Sequence, residues 1–413
     1  MLSRATVLKG LAVLTAATIA VPAAAAAPAN AGQRITPESF GVHSFTTDPE
    51  VPAGALRMNC WPTWRMMEPT KGDRQWGAMD QTLNRVRSWG VSDVMFVFCG
   101  TPKWAAGPVA DPSKELDPPL FGKGSTAAPK NMAFFRSFVT AFVKRYAATI
   151  DHYQAWNEIT SPQFYQGTAG QMATMTKILS EVVGQYDPTA TVVGGSIQTH
   201  VATWYRSMGR SYMKALRSLG WPVDAFAGHF YPLAKGGPDE RNVQIKRFVK
   251  DLRKQKKPSR VQMWDTEANF YTSVPGNPPA GRLKGKKAAT FLARNYLDSW
   301  ALGLRRSYWY LWSSRYEAFA GIQMRRGDIA TKTYRTLAGW TIGSTFKKCR
   351  TKGNLVKCSF TGGPGKATIA YTTSGKAALK VSGKKRACPV SGSKCKKAKR
   401  GKVTVTTLPV RIA

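Results

Sequence analysis

Two stretches decide the fold: Tyr153-Gln154-Ala155-Trp156-Asn157-Glu158 and Val261-Gln262-Met263-Trp264-Asp265-Thr266-Glu267. Each contains residues that suit an extended chain, and each ends on a glutamate, the first preceded by an asparagine. In a barrel of parallel strands, side chains at the C-terminal strand ends point into the face where the fold does its chemistry. A barrel reading of these two stretches requires six more strands.

The chain supplies them. Strand-like runs fall at 40–45, 55–60, 94–99, 152–158, 191–197, 225–230, 260–267 and 307–312, eight in all. Between several of them lie helix-length segments with apolar residues spaced near 3.6, at 131–147, 171–186, 242–255 and 287–302. In the first of these, Phe134, Phe135, Phe138, Phe142, Val143 and Tyr146 form the stripe. Such alternation predicts an α/β fold, a (β/α)8 TIM barrel over residues 32–343. The competing architecture is a doubly wound open sheet, but no Gly-rich nucleotide turn follows the first strand. After Trp340 the chain turns to Thr, Val, Gly, Ser and Lys. Strand-like pieces at 355–360, 367–371, 377–381 and 403–410 predict a small C-terminal antiparallel β domain over 344–413.

The first 31 residues read as a signal peptide, with a basic start (Arg4, Lys9), an apolar run over 10–21 and a small-x-small site at Ala29-Asn30-Ala31. The alternative is an uncleaved anchor. No later stretch reaches the ~18 apolar residues of a membrane span. The expectation is a secreted protein, extracellular or attached to the cell wall. Six cysteines suit an oxidising compartment. Cys349 with Cys358 and Cys388 with Cys395 flank turns and are plausible local disulfides, although spacing alone does not fix connectivity. Cys60 and Cys99 end successive strands and either bridge or pack as small apolar residues.

The formal net charge is +38, and it is unevenly spread. From Thr341 onward there is no acid, while Lys384, Lys385, Arg386, Lys394, Lys396, Lys397, Lys399, Arg400 and Lys402 crowd one stretch. Such a tail attracts polyanions. For an exported protein these are anionic cell-wall or matrix polymers rather than a specific nucleic acid; a solvated tail without a partner is the alternative.

Two carboxylates that face each other meet the requirement for hydrolysing a glycosidic bond. Around them the chain resembles the retaining glycoside hydrolases of clan A, whose barrel carries catalytic glutamates at the ends of strands four and seven. Glu158 ends the fourth predicted strand and Glu267 the seventh, and Asn157-Glu158 is similar to the clan's Asn-Glu signature. Arg57-Met58-Asn59-Cys60-Trp61, then Trp64, Glu68-Pro69, Gly72, Trp76 and Asp80, resemble the second strand and following loop of relatives such as family 39. Thr101-Pro102-Lys103-Trp104, His229-Phe230-Tyr231-Pro232 and Trp309-Tyr310-Leu311-Trp312 resemble the ends of strands three, six and eight. The likeness spans residues 38 to 345; the basic tail is less characteristic.

The resemblance implies Glu158 as general acid/base, Glu267 as nucleophile, and Asn157 as partner of the sugar 2-hydroxyl. Arg57 and Tyr231 fit as groups that hold Glu267 ionised, and burial together with the charge of Glu267 would raise the pKa of Glu158. His229, Trp312, Trp61 and Trp104 complete the candidate substrate-binding set, with the tryptophans as stacking platforms. Each of these has a plainer reading as packing. An oligo- or polysaccharide is the implied substrate, with no cofactor and no catalytic metal. The sugar, the linkage and the oligomeric state stay open. A non-catalytic carbohydrate-binding protein on the same barrel, or a basic wall- or nucleic-acid-binding protein with the barrel as scaffold, are the alternatives from other classes.

Overall fold

A computed structural model describes residues 32–115, 121–233, 235–271, 281–317, 319–363 and 368–413. The proposed signal peptide lies outside these. Among the described residues, no helix is long and apolar enough to cross a membrane.

Eight parallel strands close on themselves: β1 Phe40–Val42, β2 Ala55–Met58, β3 Asp93–Val97, β4 His152–Gln154, β5 Thr191–Val193, β6 Ala225–His229, β7 Gln262–Ala268 and β8 Arg306–Trp309. Closure comes from β8, which pairs with both β7 and β1. After β5 the chain rejoins the sheet briefly at Ile197–Gln198, again against β6. The predicted strands all exist, although most end earlier than their apolar runs.

Strand alternation sorts the side chains. Every second residue fills the barrel in layers. At the N-terminal end, Asp93, His152 and Arg306 form a charged plug, with Asp93 2.9 Å from the His152 ring and 2.8 Å from Arg306. Above it Ala55, Met95, Val193, Ala225, Ala227, Trp264 and Tyr308 make the dry interior. Gly41 is required there, because a Cβ at this position would lie 2.3 Å from the Tyr308 ring. The next inward layer carries Arg57, Gln154 and His229, and so forms the floor of the open end. Residues facing outward meet the helices. Tyr153, Phe96 and Phe226 pack there against the stripe of Met132–Tyr146 and its neighbours.

The C-terminal strands form an antiparallel sheet in the order Gln33–Arg34, Thr345–Lys352, Leu355–Thr361, Thr368–Thr372, Val410–Ile412, Arg386–Pro389, Lys396–Lys397. Lys376–Lys380 pairs separately with Lys402–Thr406. Two details differ from the sequence expectation. The first described strand, Gln33–Arg34, belongs to this sheet and not to the barrel, with Gln33 opposite Phe346. The expected strand at 403–410 is two strands in two sheets, because Pro409 has no N–H to donate to a ladder. All three disulfides form: Cys60–Cys99, Cys349–Cys358 and Cys388–Cys395. Cys349 and Cys358 sit directly opposite each other across their hairpin.

The sheet shares a core with the barrel. Phe346, Val356, Phe360 and Tyr371 join the apolar cluster of Gly285–Ala301 and Ile329–Thr341. Phe360 meets Trp300 edge-on at 6.1 Å. Beneath this contact Asp298 accepts from Arg294, Asn242 and the Tyr371 hydroxyl. Arg294 also pairs with Asp239, so removing Asp298 leaves the guanidinium a partner but strands the buried Tyr371 hydroxyl and the Asn242 amide, at about 1–3 kcal/mol for each unsatisfied group. Asp298→Ala is therefore expected to lower the urea-unfolding free energy by about that amount per group, and Tyr371→Phe by about 1 kcal/mol.

Candidate active site

Three devices bring the site residues to the open end of the barrel. The first is plain alternation. Ala225, Ala227, His229 and Tyr231 occupy every second position from the start of β6, so His229 and Tyr231 turn inward. Arg57 follows Ala55 on β2 in the same way.

The second device is a bulge. Trp264 faces inward on β7, so alternation alone would send Glu267 outward. Both neighbouring strands shift register at this point: Gly228 pairs with Asp265 but His229 with Glu267, and Ser307 pairs with Asp265 but Trp309 with Ala268. The extra residue reverses the parity. Asp265 points out to a buried ion pair with Arg241, and Glu267 points in. The third device is a single left-handed residue. The chain leaves β4 after Gln154, and Glu158 has φ +41°, with its N–H donating to Ser196 Oγ at 2.8 Å. Few non-glycine residues adopt this conformation, and it aims the side chain back over the barrel.

The guanidinium of Arg57, fully buried, is the hub. Its Nε donates to Gln154 Oε1 at 2.8 Å, and the two terminal nitrogens donate to Glu267 Oε1 and Asn157 Oδ1, each at 2.8 Å. Tyr231 donates its hydroxyl to the other Glu267 oxygen at 2.9 Å. Glu158 has a different environment. Its Oε1 lies 2.8 Å from His229 Nδ1, whose other nitrogen is 3.0 Å from Thr266 Oγ1. Burial pushes the Glu158 carboxyl up to about 7, against the opposing pull of Gln198 and of the Arg57 charge. Burial also pushes the His229 ring down to about 3, so the imidazole beside Glu158 is neutral. The two carboxyls are thus close in space and unlike in character.

Glu158, His229 and Glu267 each offer an atom within 4.8 Å of the others, a spacing that could hold a metal ion. All three are already engaged, however, and the Arg57 guanidinium at 2.8 Å from Glu267 opposes a second cation. The set fits proton and nucleophile chemistry better than coordination.

Above these groups opens a cavity of about 720 Å³, lined among others by Asn157, Glu158, Tyr231, Glu267, Gln198 and Trp61. Phe45, Phe121, Phe164, Tyr310 and Phe319 give it an aromatic wall. Trp61 is half exposed at the rim. An aromatic wall with a few convergent polar groups is the usual make-up of a small-molecule site.

Four of the candidate substrate-binding residues do not line the cavity. Arg57 and His229 are fully buried behind the carboxyls and do not line the cavity; they position Glu267, Asn157 and Glu158. Trp104 lies outside the cavity. It packs on Phe134 and donates its indole N–H to the Glu68 carbonyl. Trp312 is core, 3% exposed in the cluster beneath the C-terminal sheet. Strand β8 ends at Trp309, so the period-two rule no longer carries to residue 312, and Tyr310 is the side chain delivered to the cavity. Tyr310 stands in the same Trp309-Tyr310-Leu311-Trp312 stretch, two residues before the tryptophan expected to face the sugar. Gln198, Gln154 and Thr266 gave no signal beyond their position near strand ends.

The raised pKa of Glu158 has a consequence for stability. The folded state keeps this proton up to about pH 7, whereas an ordinary glutamate releases it near 4.5. The folded state therefore binds more protons across that window, and its stability falls as pH rises through it. Glu158→Gln cannot ionise and escapes this loss. At pH 8 it should be more stable than the parent by on the order of 2–3 kcal/mol, converging with it at pH 4, as read by urea unfolding.

No protein-family description matches the sequence, and no curated protein does either. Solved structures do share its shape. A family 39 glycoside hydrolase from Bacteroides cellulosilyticus WH2 aligns with a TM-score of 0.64 at 16% identity, over 92% of this chain and 82% of that one. A glucosidase from Croceicoccus marinus gives 0.61 at 12% identity, over 92% and 96%. A family 30 endoxylanase from Clostridium papyrosolvens C71 gives 0.58 at 12% identity, over 92% and 97%. The chain has the barrel fold of these glycoside hydrolases.

Proposed function

We propose that the protein is a retaining glycoside hydrolase that cleaves O-glycosidic bonds of an oligo- or polysaccharide by double displacement. The observation that carries this reading is the pairing of two buried carboxyls at the ends of β4 and β7, with oxygens within 4.8 Å of each other. Retaining enzymes hold their carboxyls roughly 5–5.5 Å apart, whereas inverting enzymes need about 6.5–9.5 Å to admit water between them.

The division of labour follows from the surroundings. Glu267, fixed by Arg57 and Tyr231, attacks the anomeric carbon. Glu158, protonated at neutral pH, gives its proton to the departing oxygen. The bond to the leaving group breaks as the bond to Glu267 forms. In the second step Glu158 takes a proton from water, which displaces Glu267 and regenerates the carboxylate. Asn157 has its carbonyl end anchored on Arg57, so its amide NH2 is the end turned to a sugar hydroxyl. Neutral His229 keeps Glu158 oriented without holding it ionised, which a general acid requires.

An activated aryl glycoside panel with fluorine at C2 tests the reaction class. Intact mass should show one sugar adduct on the wild type and none on Glu267→Ala. The kcat/KM of the wild type should fall on the alkaline side with a midpoint near pH 7, where Glu158 loses its proton, and Glu158→Ala should lose that limb. No adduct and no turnover on any sugar would remove the proposal.

We also propose export and retention by an anionic wall or matrix polymer. What supports retention is the exposed lysine-rich hairpin at Arg386–Pro389 and Lys396–Lys397, in a segment with no acidic residue. Changing Lys394, Lys396, Lys397 and Lys399 together to Ser should cut binding to insoluble anionic wall polymer several-fold at low salt and flatten its salt dependence. Turnover of a small glycoside should stay the same. Binding that ignores both the substitutions and the salt would sink the retention idea.

A further inference from the structure

Among the described residues that line the cavity, Gln198 is the one whose buried polar side-chain atoms lack a hydrogen bond of normal geometry. Its residue is 1% exposed and lines the cavity; its amide acts on the Glu158 carboxyl beside it, yet among the described residues neither Oε1 nor Nε2 makes a hydrogen bond of normal length and angle. Buried polar atoms in native proteins are nearly always satisfied, so an under-satisfied carboxamide facing a cavity marks a place where something else binds.

The root of the side chain is rigid. Gln198 N–H donates to Thr160 Oγ1 at 3.0 Å. Next to it, the Thr199 hydroxyl reaches Gln244 Oε1 at 2.6 Å, and Arg247 donates to the Thr199 carbonyl. Gln244 in turn donates to the Tyr231 carbonyl at 2.8 Å. These bonds fix the backbone at Gln198 and Thr199 from which the amide projects. A donor and an acceptor kept ready on a rigid frame suit a ligand that offers hydroxyls, since each hydroxyl can serve as either partner.

Its position says which part of the substrate it meets. Gln198 stands beside Glu158 and takes no part in the Arg57 network that holds Glu267 and Asn157. In a double displacement the nucleophile and the leaving group occupy opposite sides of the anomeric carbon, and the acid lies on the leaving-group side. We infer that Gln198 is a specificity-determining residue that grips two hydroxyls of a sugar leaving group, so that the bond cleaved joins two sugar units rather than a sugar and a small aglycone. The inference rests on the retaining reading above and adds the nature of the leaving group.

The test compares Gln198→Leu with wild type on two substrates that share one glycone, the one accepted in the aryl panel. One is a short oligosaccharide and the other a simple alkyl glycoside. Both need protonation by Glu158, but only the oligosaccharide has hydroxyls on its leaving group. The kcat/KM of the variant should fall at least about tenfold further on the oligosaccharide than on the alkyl glycoside, the loss expected for one or two hydrogen bonds. An equal fall on both would mean that Gln198 only tunes Glu158, and no fall on either would mean that it meets solvent; either result overturns the inference. Gln198→Met, closer in shape, carries the same comparison if the leucine variant does not fold. Adduct formation on Glu267 is scored separately in each variant, so failure of the retaining reading is a different result from failure of this one.

Discussion

The buried guanidinium of Arg57 is the constraint on which the site depends. A cation deep in a protein must be neutralised and hydrogen-bonded, or it destabilises the fold by several kcal/mol. Arg57 meets that demand with Gln154, Asn157, Asn59 and Glu267, residues drawn from three different strands and the loops that follow them. One planar group therefore sets the relative positions of β2, β4 and β7 at the open end. Because its donors form a fixed fork, it fixes angles as well as distances. A lysine would supply the charge but not the geometry.

The same cation separates the roles of the two carboxyls. Glu267 receives the guanidinium directly, while Glu158 receives a neutral imidazole. His229 is kept neutral chiefly by burial, with the Arg57 charge adding to it, and His43, bonded to the Thr266 carbonyl, is held neutral for the same reasons. Had His229 been charged, Glu158 would have had a cation of its own and little tendency to keep a proton. The histidines thus orient their neighbours without contributing charge.

The C-terminal sheet is not a loose appendage. It completes the apolar cover of two barrel helices and recruits the first described strand, Gln33–Arg34, from the other side of the barrel sequence. Its contacts with Trp300, through Phe346 and Phe360, and with Asp298, through Tyr371, join it to the barrel helix that carries both residues. Its outer face carries the cations. Packing on one side and charge on the other is a division that a single small sheet can sustain, helped by two local disulfides.

Local order in the chain was enough to recognise much of this. Period-two runs broken by 3.6-period segments marked eight strands, because each strand's burial depends on its own neighbours in sequence. Asn157-Glu158 at the fourth strand, and paired cysteines around short turns, were legible for the same reason. Features that depend on partners distant in sequence were not. The bulge that turns Glu267 inward exists only because β6 and β8 shift register against β7 at one point. The choice of Tyr310 over Trp312 depends on where β8 stops pairing. The position of Arg57 as hub, and of Gln198 as an under-satisfied amide, follows from which side chains meet across the barrel. Alternation is a property of a strand, but the direction of a side chain at a strand's end is decided by the strands beside it.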